Sequence, residues 1–279
     1  MAQKIKFTKL VASGNDFVLL DLRNRRNKLN LRAVARQLCS RKFGIGADGL
    51  LALEKSKKAS FKMRIFNPDG SEAEMCGNGA RCAVYFITHK SKVDKRISFE
   101  TKAGILKAQA YRDSIKINMT APKNIRLDSV IKVNNYPLRI NFINTGVPHT
   151  VILCDGLEKI DVYHLGKLIR FHKAFRPQGT NVDFIEPKGL AGIRIRTYER
   201  GVEEETLACG TGSVAGAIIY ALKLKNTGLS KKELFDIGVD TVSGEVLRVM
   251  FKIGNRNKKA GDVWLEGKAG IICRGDCYV

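Results

Sequence analysis

Runs of β-branched and aromatic residues, broken by turn formers, recur through both halves of the chain. Such runs read as strands. They fall at Phe17 to Leu22, Phe61 to Phe66, Ile105 to Tyr111 and Ile115 to Met119. They return at Thr150 to Leu153, Ile193 to Tyr198, Val246 to Ile253 and Val263 to Leu265. Two stretches have another period. From Gly77 to Thr88, Ala80, Val84 and Ile87 share one helical face. From Gly210 to Leu224 the chain is apolar nearly all round, through Val214, Ala215, Ala217, Ile218, Ile219, Ala221 and Leu222. A helix with no polar face must be enclosed. Further amphipathic helices are expected at Leu31 to Ser40 and Tyr163 to His172.

The halves also match segment by segment. Asn15 to Asp21 pairs with His149 to Asp155, and Gly46 to Leu51 with Gly179 to Phe184. Arg64 to Asn67 pairs with Arg196 to Glu199, and Cys76 to Gly79 with Cys209 to Gly212. Thr101 to Gly104 pairs with Thr241 to Gly244. Five matches in one order, at an offset of about half the chain, indicate a domain made twice rather than a solenoid. The expected fold is α+β. Two pseudo-symmetric domains, 1–125 carrying Cys76 and 126–279 carrying Cys209, each wrap a mainly antiparallel sheet around one central buried helix. The boundary is expected in the polar stretch from Pro122 to Asn135, and the last strands could return to the first half.

Composition narrows the class. The chain has 279 residues, 44% of them hydrophobic, enough for two domains with real cores. No run approaches the roughly 18 apolar residues of a membrane span. Met1 to Phe7 reads as a first strand and not as a signal peptide. The expectation is a cytoplasmic protein. The net charge of +22 raises a nucleic-acid reading. Yet the clusters at Lys55 to Lys58 and Arg256 to Lys259 carry no interleaved aromatics for base stacking. A solvated basic surface is the plainer account. Seven cysteines, an odd number, argue against a disulfide framework. Cys273 and Cys277 lack a second pair at finger spacing, so no metal site is expected. Cys39, Cys82 and Cys154 read as small buried hydrophobes.

Cys76 and Cys209 differ from the others. Each occupies the same place in the repeat and opens a helix with Gly-x-Gly. The first N–H groups of a helix lack internal partners and carry the positive end of its dipole. A thiol there should have a lowered pKa, and the same N–H groups can hold a carboxylate. Two such units on either side of one α-carbon would let a thiolate remove a proton while the opposite thiol supplies another. That inverts configuration with no Schiff-base lysine, other cofactor or metal. Oxidation of the two thiols to one another remains a side reaction.

At this point a resemblance enters. Phe66 to Cys82 and Tyr198 to Gly212 resemble the two signatures of the diaminopimelate epimerase family. Gly14 to Phe17, Gly44 to Asp48 and Thr180 to Phe184 are similar too, and the resemblance runs over essentially the whole chain. It implies a diaminopimelate epimerase-like fold and pyridoxal-free interconversion of LL- and meso-diaminopimelate, on the route to lysine and peptidoglycan. It implies Cys76 and Cys209 as acid/base pair, and backbone groups of Gly77, Asn78, Gly210 and Thr211 on the reacting carboxylate. Glu199 would meet the reacting amino group, Asn15, Asn67, Asn181 and Arg200 the distal end, and His149 would support the site. A homodimer is implied as well. The chain departs from the commoner pattern at Val147, where many members have Asn, and at Gly49, where many have Gln. The segment Val202 to Thr206 is one residue longer. A proline or hydroxyproline racemase of the same type is the neighbouring alternative.

Overall fold

The computed structural model describes residues 3–25, 29–90, 95–254 and 259–279. The first two residues of the expected first strand, and Arg256 to Lys258 of the second basic cluster, lie outside these. Among the described residues no helix is long and apolar enough to cross a membrane. The chain divides into two compact units. One holds the residues up to Asn118 together with Glu266–Val279, and the other is Met119–Leu265. The seam thus falls slightly before the expected 125/126, and the final segment joins the first unit.

The first unit contains β1 (Lys4–Ala12), β2 (Asn15–Asp21), α1 (Leu31–Cys39), β3 (Gly49–Glu54), β4 (Phe61–Phe66), β5 (Glu72–Ala73) and α2 (Gly77–Thr88). It continues with β6 (Lys95–Thr101), β7 (Gly104–Tyr111) and β8 (Ser114–Asn118). The second unit contains β9 (Lys123–Val133), β10 (Tyr136–Asn144), β11 (Pro148–Leu153), α3 (Val162–Arg170), β12 (Asn181–Pro187), β13 (Gly192–Glu199) and β14 (Glu204–Thr206). There follow α4 (Gly210–Asn226), β15 (Leu234–Asp240), β16 (Val246–Ile253) and β17 (Ala260–Lys268), which runs across the seam. The last strand, β18 (Gly270–Tyr278), belongs to the first unit.

Strand pairing repeats the duplication. In the first unit β2 pairs in parallel with β3, which is antiparallel to β4. In the second, β11 is parallel to β12, and β12 antiparallel to β13. β4 runs parallel to β6 as β13 does to β15. The remaining described pairings are antiparallel, including β1 with β2 and β10 with β11. β1 is flanked on its other side by β18, and β10 by β9. The same position is therefore filled from the chain's end in one unit and from its own beginning in the other.

The middle strands are buried without a break at Phe17 to Leu20, Leu50 to Leu53 and Asn181 to Ile185. Strands covered on both faces lose the alternation that marks a half-solvated one. In the first unit α2 packs on the sheet, with Gly77 to Val84 buried. Leu31, Val34, Ala35 and Leu38 of α1 share a core with Val18, Leu20, Leu50 and Ala52. In the second, α4 is buried over most of its length. Val162 of α3 and the following Ile169 pack with Val182, Phe184 and Tyr198.

The stretch expected to be a polar boundary is instead the long strand β9. Ile125, Leu127, Ile131 and Val133 sit half-buried or buried, while Arg126, Asp128, Val130 and Lys132 face outward. Its period is two, but charged outward residues dilute its hydropathy.

Candidate active site

In the first unit Cys76 is the N-cap of α2, with extended backbone (φ −141°, ψ 125°). Its Sγ accepts from the Gly79 N–H at 3.5 Å. The first intrahelical bond runs from Ala80 N–H to Cys76 O, so Gly77 and Asn78 lie ahead of it. The Asn78 amide donates to Asn15 Oδ1, and Asn15 donates to Asp48 Oδ2 at 3.1 Å. Fully buried Arg81 donates to Asn78 Oδ1 at 2.9 Å and to Ser13 Oγ at 2.5 Å. Behind them Arg41 bonds both Asp16 and Asp48. Burial alone would raise the Asp16 pKa, but hydrogen bonds from Arg41, Lys9 and the Asp48 N–H prevail and hold it at about 2. Asn67 is exposed in the turn after β4, where it donates to Ser71 Oγ at 2.9 Å.

In the second unit Cys209 is the N-cap of α4 (φ −109°, ψ 113°) and only 8% exposed. Gly210 and Thr211 precede the first intrahelical bond, Ser213 N–H to Cys209 O. The sulfur lies 3.4 Å from Thr211 Oγ1. That hydroxyl is 3.0 Å from His149 Nε2, and His149 Nδ1 is 2.7 Å from Asp183 Oδ2. Asp183 Oδ1 accepts from Thr197 Oγ1 at 2.8 Å. His149 and Asp183 are both fully buried, on the paired strands β11 and β12.

A dipole-lowered thiol was expected at each helix tip, and Cys209 departs from this. Burial, then the charges of Glu199 and Asp183, push its pKa well above the ordinary thiol value, against hydrogen bonds from Thr211 and the Gly212 N–H. Desolvation and two carboxylates outweigh the helix end, so the resting form is the thiol. Glu199 is itself raised, first by burial, with the neighbouring Asp183 charge adding to it.

Asn181 and Arg200 meet at the backbone. The Asn181 side chain accepts from Arg200 N–H at 2.8 Å and donates to Pro148 O at 2.9 Å. Its amide is thus engaged in placing Arg200, whose guanidinium donates to Gln178 O at 3.0 Å. In the second unit Thr211 reaches the Cys209 sulfur, His149 is bonded to Thr211, and the Glu199 charge acts on the thiol, whereas Asn181 and Arg200 are bonded to one another and to Pro148 and Gln178, and Asn67 sits in its own turn. Residues not assigned a role from sequence are Asp183, Thr197, Ser13, Arg81 and Asp48. Asp48, Arg81 and Asp183 lie inside the recognised motifs, which was the one available signal. The other cysteines are less remarkable: burial pushes Cys39 up to about 12 and also raises Cys154.

A sheet folded round one helix with a cysteine at its tip, made twice, places the chain in a class of known fold. The Bacillus anthracis phenazine biosynthesis protein of the PhzF family superposes with a TM-score of 0.77 at 17% identity, covering 99% of this chain and 100% of that one. A hydroxyproline epimerase from Agrobacterium vitis gives a TM-score of 0.69 at 16% identity, over 99% of this chain and 93% of that one. At such identities the likeness concerns the fold. Sequence carries the assignment further. The family model for diaminopimelate epimerase matches residues 7–125 and 141–261. The diaminopimelate epimerase of Aquifex aeolicus is 44% identical over 97% of both chains, and that of Hydrogenobaculum sp. 41% identical over 96% of both. The chain belongs to the diaminopimelate epimerase family.

Proposed function

We propose that the protein interconverts LL- and meso-diaminopimelate by two-base chemistry without a cofactor, for lysine and peptidoglycan precursors. The single observation that carries this is a cysteine N-cap on the central helix of each unit, ahead of Gly-x-Gly, in a chain of this family. One sulfur, as thiolate, takes the α-proton. The other, as thiol, gives a proton to the opposite face of the carbon. N–H groups of Gly77, Asn78, Gly210 and Thr211 hold the α-carboxylate, and their dipoles oppose the charge that builds as the proton leaves. Glu199 faces the reacting amino group. Asn15, Asn67, Asn181 and Arg200 read the distal amino-acid end, and His149 supports the centre. Val147 and Gly49 remove two side-chain amides from that recognition, leaving more of it to backbone groups. A cytoplasmic homodimer goes with this reading.

The test is α-proton exchange from LL-diaminopimelate in deuterated water. Cys76→Ala and Cys209→Ala should each lose about a thousandfold or more. Full-speed inversion by either variant removes the two-thiol mechanism. Turnover of proline with none of diaminopimelate removes the substrate.

A further inference from the structure

The turn from β13 to β14 follows Glu199 and carries Arg200, and the segment Val202 to Thr206 is one residue longer than the commoner family pattern. Glu199 and Arg200 have parts in the proposed chemistry, whereas the added length has none. Glu203 within it lies in the left-handed region, at φ 63°. A residue with a side chain keeps that conformation only where its surroundings over-determine it. Its backbone N–H donates to Glu199 O at 2.8 Å. Its Oε1 accepts from Gly201 N–H at 2.9 Å, and from Arg170 Nε and Nη2 at 3.1 and 2.9 Å. Three donors converge on one oxygen, and two of them come from outside the turn.

Arg170 is the last residue of α3, where a cation also answers the negative end of the helix dipole. Its side chain is 15% exposed, so the pair is screened less than a surface one. The guanidinium reaches the turn by passing Gly179. A Cβ at Gly179 would collide with Arg170 Nη1 and lie 2.9 Å from Arg170 O. Gly179 belongs to the segment that leads into β12, and this segment holds Arg200 directly. Gln178 O accepts from the Arg200 guanidinium at 3.0 Å, and Asn181 Oδ1 from the Arg200 N–H at 2.8 Å. Arg170 therefore lies between the two pieces of chain that fix Arg200.

We infer that Arg170 and Glu203 form a clamp that sets the position of Arg200, and so decides how well this chain grips the distal end of its substrate. The inference rests on the reading of Arg200 as a residue that meets that end. Val147 and Gly49 leave fewer side-chain amides for the same task, so the setting of Arg200 counts for more. Glu199 is held separately: it pairs with Glu204 in the ladder of β13 and β14. Releasing the clamp leaves that ladder, and with it the acid/base centre, in place. Arg170 and Glu203 are positioning residues, and neither meets substrate.

This separation gives the clamp a kinetic signature. Steady-state turnover of diaminopimelate and backbone hydrogen exchange are measured on the full-length protein. Arg170→Met keeps the aliphatic stem and loses the donors. It should raise KM about tenfold with kcat within about twofold of wild type, the mark of lost binding rather than lost chemistry. Glu203→Gln keeps the shape but weakens the charge-assisted bonds, and should raise KM about threefold. Arg170→Lys, which keeps the charge but not the fork of donors, should fall between Arg170→Met and wild type. In the peptide covering residues 199–206, the amides of Gly201 and Glu203 should exchange about tenfold faster in Arg170→Met. Should Arg170→Met fold poorly, Glu203→Gln decides alone. An unchanged KM, a loss carried by kcat, or exchange as slow as in wild type overturns the clamp. Faster exchange in the variants of a protein whose wild type never turns over diaminopimelate overturns the substrate and leaves the hold on Arg200 standing.

Discussion

Two glycines in equivalent places do different work. A Cβ on Gly79 would meet the methyl ends of Leu51 and Ile65 at 3.0 and 3.2 Å, which can give way. A Cβ on Gly212 would press on a buried carboxylate held by Thr197 and His149. Gly212→Ala should therefore cost about 1–3 kcal/mol, as overpacking does. In Gly79→Ala the helix-propensity gain of about 0.5–1 kcal/mol offsets most of the strain. Urea unfolding of the two variants side by side checks the difference. Glu199 makes a pH-dependent prediction. Its folded pKa is raised, so the fold favours the neutral acid, and stability falls as pH climbs through the ordinary carboxylate range towards the raised value. Glu199→Gln should lack that fall, seen as a flatter plot of unfolding midpoint from about pH 4 upward. The same change removes a negative neighbour of Cys209 and should lower the pH at which that thiol ionises.

Among the elements, helices were the most readable. The first three begin with a side-chain cap and show a face in the spacing of apolar residues, and α4 shows its enclosure by being apolar nearly all round. Asn30 is the side-chain cap of α1, accepting from Ala33 N–H at 3.3 Å. Asn30→Ala should lower stability by about 1 kcal/mol in chemical denaturation, with Asp at that position restoring it. Strands were legible where apolar runs were dense, as at Phe61 to Phe66. β9 was missed because its outward positions are mostly charged, so its alternation is not a run. Both cysteines and their glycines were visible because they repeat, and the motif asparagines because the family resemblance covers them. The Asp183–His149 bond was not, because it joins residues 34 apart in sequence and depends on the parallel register of His149 with Asn181. Fully buried Arg81 was equally hidden, since arginine is ordinarily a surface residue. The thiol pKa was misjudged at Cys209 because a helix end can be read from sequence, whereas burial of the sulfur and the approach of Asp183 from another strand cannot.

At the scale of the molecule, the duplication is complete in pairing but not in connection. β18 lies along β1 from Lys4 opposite Tyr278 to Val11 opposite Gly270, the place that β9 takes beside β10. Ile5 packs in the first unit's core together with Cys277 of this strand. Removing Glu266–Val279 would strip β1 of a full antiparallel neighbour while leaving the second unit's segment intact. Limited proteolysis of the truncated chain should degrade the first unit and spare a fragment close to Met119–Leu265.

On the ribosome this wiring inverts the usual sequence of events. Domains ordinarily finish in the order in which they are made. Here the half that is started first lacks β18, the neighbour of β1, until residues 270–278 have been made, whereas the later half is an unbroken segment that can complete before it. For the interval between, the nascent protein carries an open sheet edge along β1, and the arrival of β18 seals it.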